Sequence, residues 1–270
     1  MLNPHNLTSV ILARLTGLED MTWRAMNAYE RAVFVTQHPD AAARAFDIQI
    51  NVFLCIIVHY GRRNGLFGTC KVYYGTVEAQ GRGTLHCHML LWVEGCPNPQ
   101  LLRDCFEDDP SFKSDVFMWL EDIIKCKLPG MSVPVDSEST HPTSRYDALQ
   151  TEQDVRLLRA PQVSKLGKDD FCYHFMEFVK DLAVKCNWHS HTDTCFKHLW
   201  NRQPRTDTNC QMRVTGQTCP STSLDPDISS VLLCRLHPWI NNYNDVTLFL
   251  LQSNMDIKFI GSGPAAKALV

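Results

Sequence analysis

Two histidines one residue apart, His86 and His88, have the spacing in this 270-residue sequence that most clearly permits metal chemistry. They follow Gln80-Gly81-Arg82-Gly83 in a β-rich run, and residues i and i+2 of a strand point to the same face. If the turn centres on Arg82, residues whose numbers sum to 164 face each other across a hairpin, which places Glu78 opposite His86. Two imidazoles and a carboxylate suit Mg²⁺, Mn²⁺ or Zn²⁺. The pattern predicts a divalent-metal site at Glu78, His86 and His88, and the alternative is a pair of ordinary sheet histidines.

A second group of soft ligands lies further along the chain. Its members are Cys186, His189, His191, Cys195 and Cys210. Four of them can close a tetrahedral structural zinc site, which would order a segment that lacks an apolar core of its own. The spacing matches no standard zinc finger, so scattered thiols and surface histidines remain the competing interpretation.

Hydrophobic periodicity predicts the elements that must position these residues. The expected helices cover 40–60, 112–124 and 169–185, the expected hairpin strands cover 70–77 and 84–93, a loop covers 129–144, and an α/β-like segment covers 231–270. We therefore predict an α+β fold in which a central antiparallel sheet carries the His-x-His hairpin. Helices pack on this sheet, and a Cys/His-rich module is inserted.

The charge of the chain is unevenly distributed. The formal net charge is −3, and 44% of the residues are hydrophobic, which is a globular composition. Residues 94–160 carry 7 basic and 13 acidic side chains, whereas residues 1–93 carry 8 basic and 6 acidic ones. We divide the chain accordingly into two halves of one core (1–93 and 218–270), an acidic insertion (94–160) and a Cys/His-rich segment (161–217).

The cysteine content and the apolar runs indicate in which cellular compartment the protein resides. Twelve cysteines in 270 residues are too few for a disulfide scaffold. The N-terminus lacks the pattern of a signal peptide, and the longest apolar run, Val52 to Val58, is too short to cross a bilayer. A reducing, intracellular location without a membrane is expected, where clustered Cys and His indicate metal.

The segment from Val77 to Trp92, with Glu78, His86 and His88 in it, resembles the metal-binding motif of the Helitron helicase-like domain, the replication-initiator (Rep) domain of Helitron transposases. That domain is one of the HUH endonucleases. Further stretches with the same likeness are Leu2-Asn3-Pro4, His189 to Lys197, Leu236 to Asn244 and Asn254 to Ile260.

The resemblance implies a nickase of single-stranded DNA for rolling-circle transposition. A Mg²⁺ or Mn²⁺ ion at His86, His88 and Glu78 would act as a Lewis acid on the scissile phosphate, and a tyrosine would attack that phosphate. In the family the paired tyrosines follow a segment like Ser262 to Leu269, whereas this sequence stops at Val270. We expect a truncated copy that lacks its nucleophile and assign no catalytic residue, with any helicase in a separate downstream domain and the nucleus as its location.

Arg82, Arg235 and Lys258 are candidates to contact phosphates, although surface charges usually have no such role. Tyr73, Tyr74 and Tyr243 are interpreted as packing residues rather than nucleophiles. The alternative function is a zinc-stabilised nucleic-acid-binding module without catalysis.

Overall fold

The computed structural model divides the chain into two units, each built from non-contiguous segments. The described residues are 1–79, 84–135, 154–200, 203–212, 214–225 and 230–260. The first unit comprises Met1–Cys96, Gln153–Phe178 and Val246–Met255. The second comprises Pro97–Glu152, Val179–Asp245 and Asp256–Val270.

The first unit contains several helices, of which the first four in chain order surround a small apolar core. The helices are α1 (Val10–Leu15), α2 (Asp20–Ala25), α3 (Ala28–Gln37), α4 (Pro39–Val52), α7 (Val163–Leu166), most of α8 (Lys168–Leu182) and most of α9 (Asp245–Leu251). Trp23 of α2 is fully buried in a cluster with Leu12 of α1 and Ala41 and Ala45 of α4. The alanines on one face of α4 let α1 and α2 approach closely, because they add little volume to the interface.

The strands of the first unit form a four-stranded antiparallel sheet in the order β2-β3-β1-β6. Its strands are β1 (Leu2–Asn3), β2 (Cys70–Ala79), β3 (Leu85–Val93) and β6 (Asn254–Met255). Leu2 pairs with Cys87 on one side and with Met255 on the other, so β1 lies between β3 and β6. The short β1 thus fixes the inner edge of β3, the strand that carries both histidines.

A glycine-rich connection leads from α4 to β2. The helix continues as a π-helical turn, Phe53–Ile57, and the chain then reverses through Gly61, Gly65 and Gly68. A Cβ atom on Gly65 would lie 2.0 Å from the carbonyl oxygen of Val58, so only glycine fits there. This close approach determines where β2 begins.

The second unit contains α5 (Pro99–Asp108), α6 (Pro110–Ile123) and a two-stranded sheet of β4 (Ser223–Leu224) and β5 (Val231–Leu232). Phe106 of α5 packs against Phe112 and Phe117 of α6. Apart from this sheet, the described residues between 187 and 244 are mostly irregular in backbone conformation. They include the short 3₁₀ turns Asp193–Phe196 and Asp207–Asn209.

The predicted elements agree with this structure except at their ends. The helix expected over 40–60 is α4 with its π turn, the one expected over 112–124 is α6, and the one expected over 169–185 is α8 followed by the π-helical turn Ala183–Asn187. The α+β class with an antiparallel sheet is confirmed. Residues 129–135 contain neither helix nor strand, and the rest of the expected loop lies outside the described residues. No described helix has both the length and the apolar composition needed to cross a bilayer.

Candidate metal centres

The first candidate centre is the triad formed by Glu78, His86 and His88. Strands β2 and β3 pair so that Glu78 lies opposite His86 and Thr76 opposite His88. This is the register predicted from the sequence, although the connecting residues 80–83 lie outside the described chain. Because residues paired in an antiparallel ladder share a face, all three side chains of the triad point to the same side of the sheet.

The triad has the spacing of an open ligand set. Oε2 of Glu78 lies 3.5 Å from Nε2 of His86 and 3.8 Å from Nε2 of His88. A six-coordinate ion with bonds of about 2.1 Å places neighbouring ligands about 3.0 Å apart, so side-chain shifts of well under 1 Å suffice. His86 is 8% exposed, whereas His88 is 51% and Glu78 59% exposed. One anchored imidazole and two accessible ligands leave the outer side of the site open.

His86 shows a further sign that its environment fits a cation. Its buried Nδ1 atom has no hydrogen-bond partner among the described residues, and its Nε2 atom is too far from Glu78 for a strong hydrogen bond. A buried imidazole whose two nitrogens are both poorly satisfied is costly unless another group binds one of them. A metal ion at Nε2 would satisfy that atom.

The second candidate centre is a cluster of His189, His191, Cys195 and Cys210. One ligand atom from each of these four residues lies within 4.8 Å of all the others. Nε2 of His189 is 3.2 Å from Nδ1 of His191, 3.3 Å from Sγ of Cys210 and 3.8 Å from Sγ of Cys195. Of the five ligands expected from the sequence, the structure brings together four, and Cys186 is not among them.

Burial sets the protonation of this cluster. Desolvation, and after it the charge of neighbouring His191, lower the pKa of His189 to about 4. The imidazole is therefore neutral at physiological pH, which is the form that binds metals. Burial also raises the pKa of the Cys210 thiol, so a thiolate there requires a compensating positive charge.

The triad and its strands lie in a stretch with a recognisable family signature. Residues 3–91 match the Helitron helicase-like domain at N-terminus. This match confirms the resemblance predicted from the hairpin residues. No curated protein and no solved structure matches the chain.

The match to the Helitron helicase-like domain covers one candidate centre and not the other. It includes Glu78, His86 and His88 and ends at Leu91, within β3. The cluster of His189, His191, Cys195 and Cys210 lies outside the matched residues, so its interpretation depends on geometry alone.

The three residues expected to contact DNA have different surroundings. Arg82 lies outside the described residues. The guanidinium of Arg235 donates to the carbonyl oxygen of Ile240 at 2.6 Å and to Oδ1 of Asn242 at 2.7 Å. Nζ of Lys258 lies 3.1 Å from Oδ2 of Asp256. A role of these residues in DNA binding stays a prediction, and for Arg235 it would compete with two internal hydrogen bonds.

The tyrosines differ in what they contact. Tyr243 is 1% exposed and its hydroxyl donates to the carbonyl oxygen of Lys127, which is a packing role. Tyr73 packs edge-on against Tyr60. Tyr74, which is 59% exposed, pairs with Leu90 and so lies on the same face as the triad. Further along that face is Trp92, which is paired with Val72 and is 49% exposed.

Sequence reasoning missed a basic cavity in the first unit. The cavity has a volume of about 540 Å³, and its lining includes Arg14, Arg24, Arg156 and Arg159. Arg14 binds Asp20 through two hydrogen bonds, whereas Nε of Arg24 has no partner among the described residues. Burial is the main cause that lowers the pKa of Arg24. The carboxylate of Asp20 raises this pKa, and the charges of Arg159 and Arg14 lower it. Arginines from segments so far apart in sequence give no local motif that could have revealed the cavity.

Proposed function

We propose that this chain is the metal- and single-stranded-DNA-binding part of a Helitron-type replication initiator, which serves tyrosine-mediated nicking and strand transfer. The observation that carries the proposal is the placement of Glu78, His86 and His88 on one face of β2 and β3, within the stretch that matches the Helitron helicase-like domain. A separate helicase domain in a full-length relative and a nuclear location belong to the same proposal.

The donor set admits Mn²⁺, Mg²⁺ or Zn²⁺, and we propose Mn²⁺ or Mg²⁺ because the open positions of the site take oxygen ligands. Two imidazoles and one carboxylate leave several coordination positions for water or phosphate oxygens. An ion bound there would act as a Lewis acid that polarises the scissile phosphate. His86 supplies the fixed ligand because it is buried, while Glu78 and His88 adjust at the surface.

The face that carries the triad also offers a stacking surface. On that face Tyr74 lies four residues from Glu78 along β2 and Trp92 lies four residues from His88 along β3, and both are about half exposed. Exposed aromatic rings beside a phosphate-binding group are typical of proteins that hold unpaired bases. Because four strand residues span about 13 Å, we propose that bases a short distance along the strand from the scissile phosphate stack on these two rings.

Alanine substitution of the two rings tests the stacking surface. We expect Tyr74→Ala and Trp92→Ala each to weaken binding of a fluorescein-labelled single-stranded oligonucleotide about tenfold, since one base–aromatic contact contributes about 1–3 kcal/mol. Fluorescence anisotropy in Mn²⁺ measures the affinity. The matched control is Tyr29→Ala, because Tyr29 is 77% exposed and lies on α3. Equal losses for Tyr29→Ala, or equally tight binding of a duplex, would contradict this prediction.

The basic cavity supplies a second region suited to the DNA backbone. Of its four arginines, Arg14 pairs with Asp20 and Arg156 pairs with Asp154, so the excess positive charge comes from Arg24 and Arg159. A cavity with this excess of positive charge favours phosphate groups. The net charge of −3 therefore does not argue against DNA binding, because the local charge of the first unit has the opposite sign there.

The salt dependence of binding tests the cavity. We expect Arg159→Gln to weaken single-stranded DNA binding and to reduce the slope of log K against log salt by about 0.7, which is the contribution of one phosphate contact. Arg44→Gln is the control, because Arg44 is exposed on α4 and does not line the cavity. An unchanged slope in Arg159→Gln would remove the cavity from the DNA-binding surface.

A second candidate function is a nucleic-acid-binding module that is stabilised by zinc and has no catalytic role. The cluster of His189, His191, Cys195 and Cys210 favours it, because a closed ligand set suits a structural ion. The two candidates differ in the triad: Mn²⁺ binding that depends on His86 supports the nickase-derived function, and zinc binding without any Mn²⁺ site supports the module.

A further inference from the structure

We infer that His189, His191, Cys195 and Cys210 bind one zinc ion in a closed tetrahedral site, and that Asp207 is a positioning residue that turns Nδ1 of His191 toward the ion. This site is structural, lies in the second unit and is independent of the triad. It holds together a stretch of chain that the apolar core of that unit does not order.

The three distances from Nε2 of His189 to the other ligand atoms fit a tetrahedron around zinc. With Zn–N bonds of about 2.0–2.1 Å and Zn–S bonds of about 2.3 Å, tetrahedral geometry spaces two nitrogens about 3.3 Å apart and a nitrogen and a sulfur about 3.6 Å apart. The corresponding distances from Nε2 of His189 are 3.2 Å to nitrogen, and 3.3 Å and 3.8 Å to the two sulfurs. These three edges agree with the ideal values to within about 0.3 Å, and the ligand atoms of the other pairs lie within 4.8 Å of each other.

The burial and softness of the ligands select the ion and its role. Cys195, Cys210 and His189 are 5%, 4% and 7% exposed, and the side chain of His191 is 19% exposed, so the cluster is largely closed to solvent. Structural zinc sites are closed in this way, whereas catalytic ones keep a position for water. Thiolates and imidazoles favour zinc over Mg²⁺, Mn²⁺ and Ca²⁺, which prefer oxygen ligands.

Asp207 lies beside the nitrogen of His191 that faces away from the cluster. Its Oδ1 atom lies 3.0 Å from Nε2 of His191, an ion-pair contact without the geometry of a hydrogen bond, and Nδ1 of the same ring is the atom directed at His189. A carboxylate at the outer nitrogen of a ligating histidine fixes the orientation of the ring and raises its basicity. Asp207 opens the 3₁₀ turn Asp207–Asn209, which ends immediately before the ligand Cys210. One short turn thus supplies both a ligand and the residue that orients another.

Backbone hydrogen bonds hold the two ligand-bearing segments in place. The amide of His189 donates to the carbonyl oxygen of Trp239 at 2.7 Å, and the amide of Gln211 donates to the carbonyl oxygen of Cys195 at 3.0 Å. The second bond links the two cysteine-bearing segments directly. Neither segment contains a helix longer than one 3₁₀ turn, so the ion would provide much of their cross-linking.

Metal content tests the site. The protein is purified in the His86→Ala background, so that the triad does not contribute, and zinc is measured by mass spectrometry after dialysis. We expect one zinc per chain, reduced to a trace by Cys210→Ser and unchanged by Cys186→Ser, since Cys186 lies outside the cluster. A folded protein without zinc, or one whose zinc survives Cys210→Ser, would overturn the inference.

Two further measurements do not depend on whether the cysteine variants fold. The protein loaded with Co²⁺ should show the visible bands of tetrahedral cobalt and thiolate charge transfer, and an octahedral spectrum without charge transfer would refute the site. Asp207→Asn should lower zinc affinity about 10–100-fold in competition with a chromophoric chelator, with the stoichiometry of one retained. Asp193→Asn is the control, because Asp193 is exposed and pairs with Arg205 instead. Equal affinity in the Asp207→Asn and Asp193→Asn variants would remove Asp207 from its positioning role.

Discussion

Replacing His86 with alanine is expected to lower the affinity of the protein for Mn²⁺ by more than about a hundredfold. Loss of an outer partner of a metal ligand already costs about 10–100-fold, and His86 is itself the proposed ligand. It is also the buried and fixed member of the triad, so its neighbours cannot replace it. Calorimetric titration with Mn²⁺, after the Cys/His cluster has been saturated with zinc, measures the affinity.

Two variants make this result specific. Glu78→Gln removes the charge from a side chain that is 59% exposed, so it should weaken Mn²⁺ binding without affecting the fold. His174→Ala removes an exposed imidazole on α8, outside the triad, and should leave the affinity unchanged. If His86→Ala bound Mn²⁺ as tightly as the parent protein while its circular dichroism stayed the same, the triad would not be a metal site.

The register of the hairpin was predictable because it depends on local information. Side chains alternate with a period of two, and the glycines near Arg82 limit where the turn can lie. Once the turn is placed, the pairing of Glu78 with His86 follows by counting, and the structure has that pairing. The pairing of β1 with the other side of β3 could not be predicted by counting from a turn, because Leu2 lies more than 80 residues from Cys87 in sequence.

The composition of the Cys/His cluster was only partly predictable. The sequence supplied five candidate ligands, and the exclusion of Cys186 depends on the path of the π-helical turn Ala183–Asn187 in which it lies. Asp207 was missed because an aspartate between two cysteines has no distinctive local pattern. Its position became informative only when the 3₁₀ turn placed it next to His191.

Several short helices were missed although the sequence contains their start signals. Asn27 and Glu30 form a capping box at the start of α3, and Asn98-Pro99 marks the start of α5. Hydrophobic periodicity is weak in helices of six to ten residues, so the caps carry more information there. Most of the helices that surround the buried Trp23 belong to this missed group.

Substituting Leu2 with aspartate is expected to destabilise the first unit and to abolish Mn²⁺ binding, although Leu2 is not a ligand. Leu2 is 5% exposed and pairs with Cys87, the residue between the two histidines, and with Met255. Truncating a buried leucine costs about 2–5 kcal/mol, and burying a carboxylate in its place adds to that cost. Since β1 holds the inner edge of β3, its loss should free His86 from the position that the triad requires.

The measurement is urea unfolding followed by tryptophan fluorescence, for which the buried Trp23 is a probe in the first unit, together with Mn²⁺ titration. Leu2→Met conserves volume and should cost less than about 1.5 kcal/mol, so it separates packing from a general sensitivity of the N-terminus. Leu101→Asp controls for the added charge, because Leu101 is 49% exposed in the second unit. A Leu2→Asp protein with unchanged stability and unchanged Mn²⁺ affinity would show that β1 does not position the triad, and the pairing of Leu2 with Cys87 would then have no functional consequence.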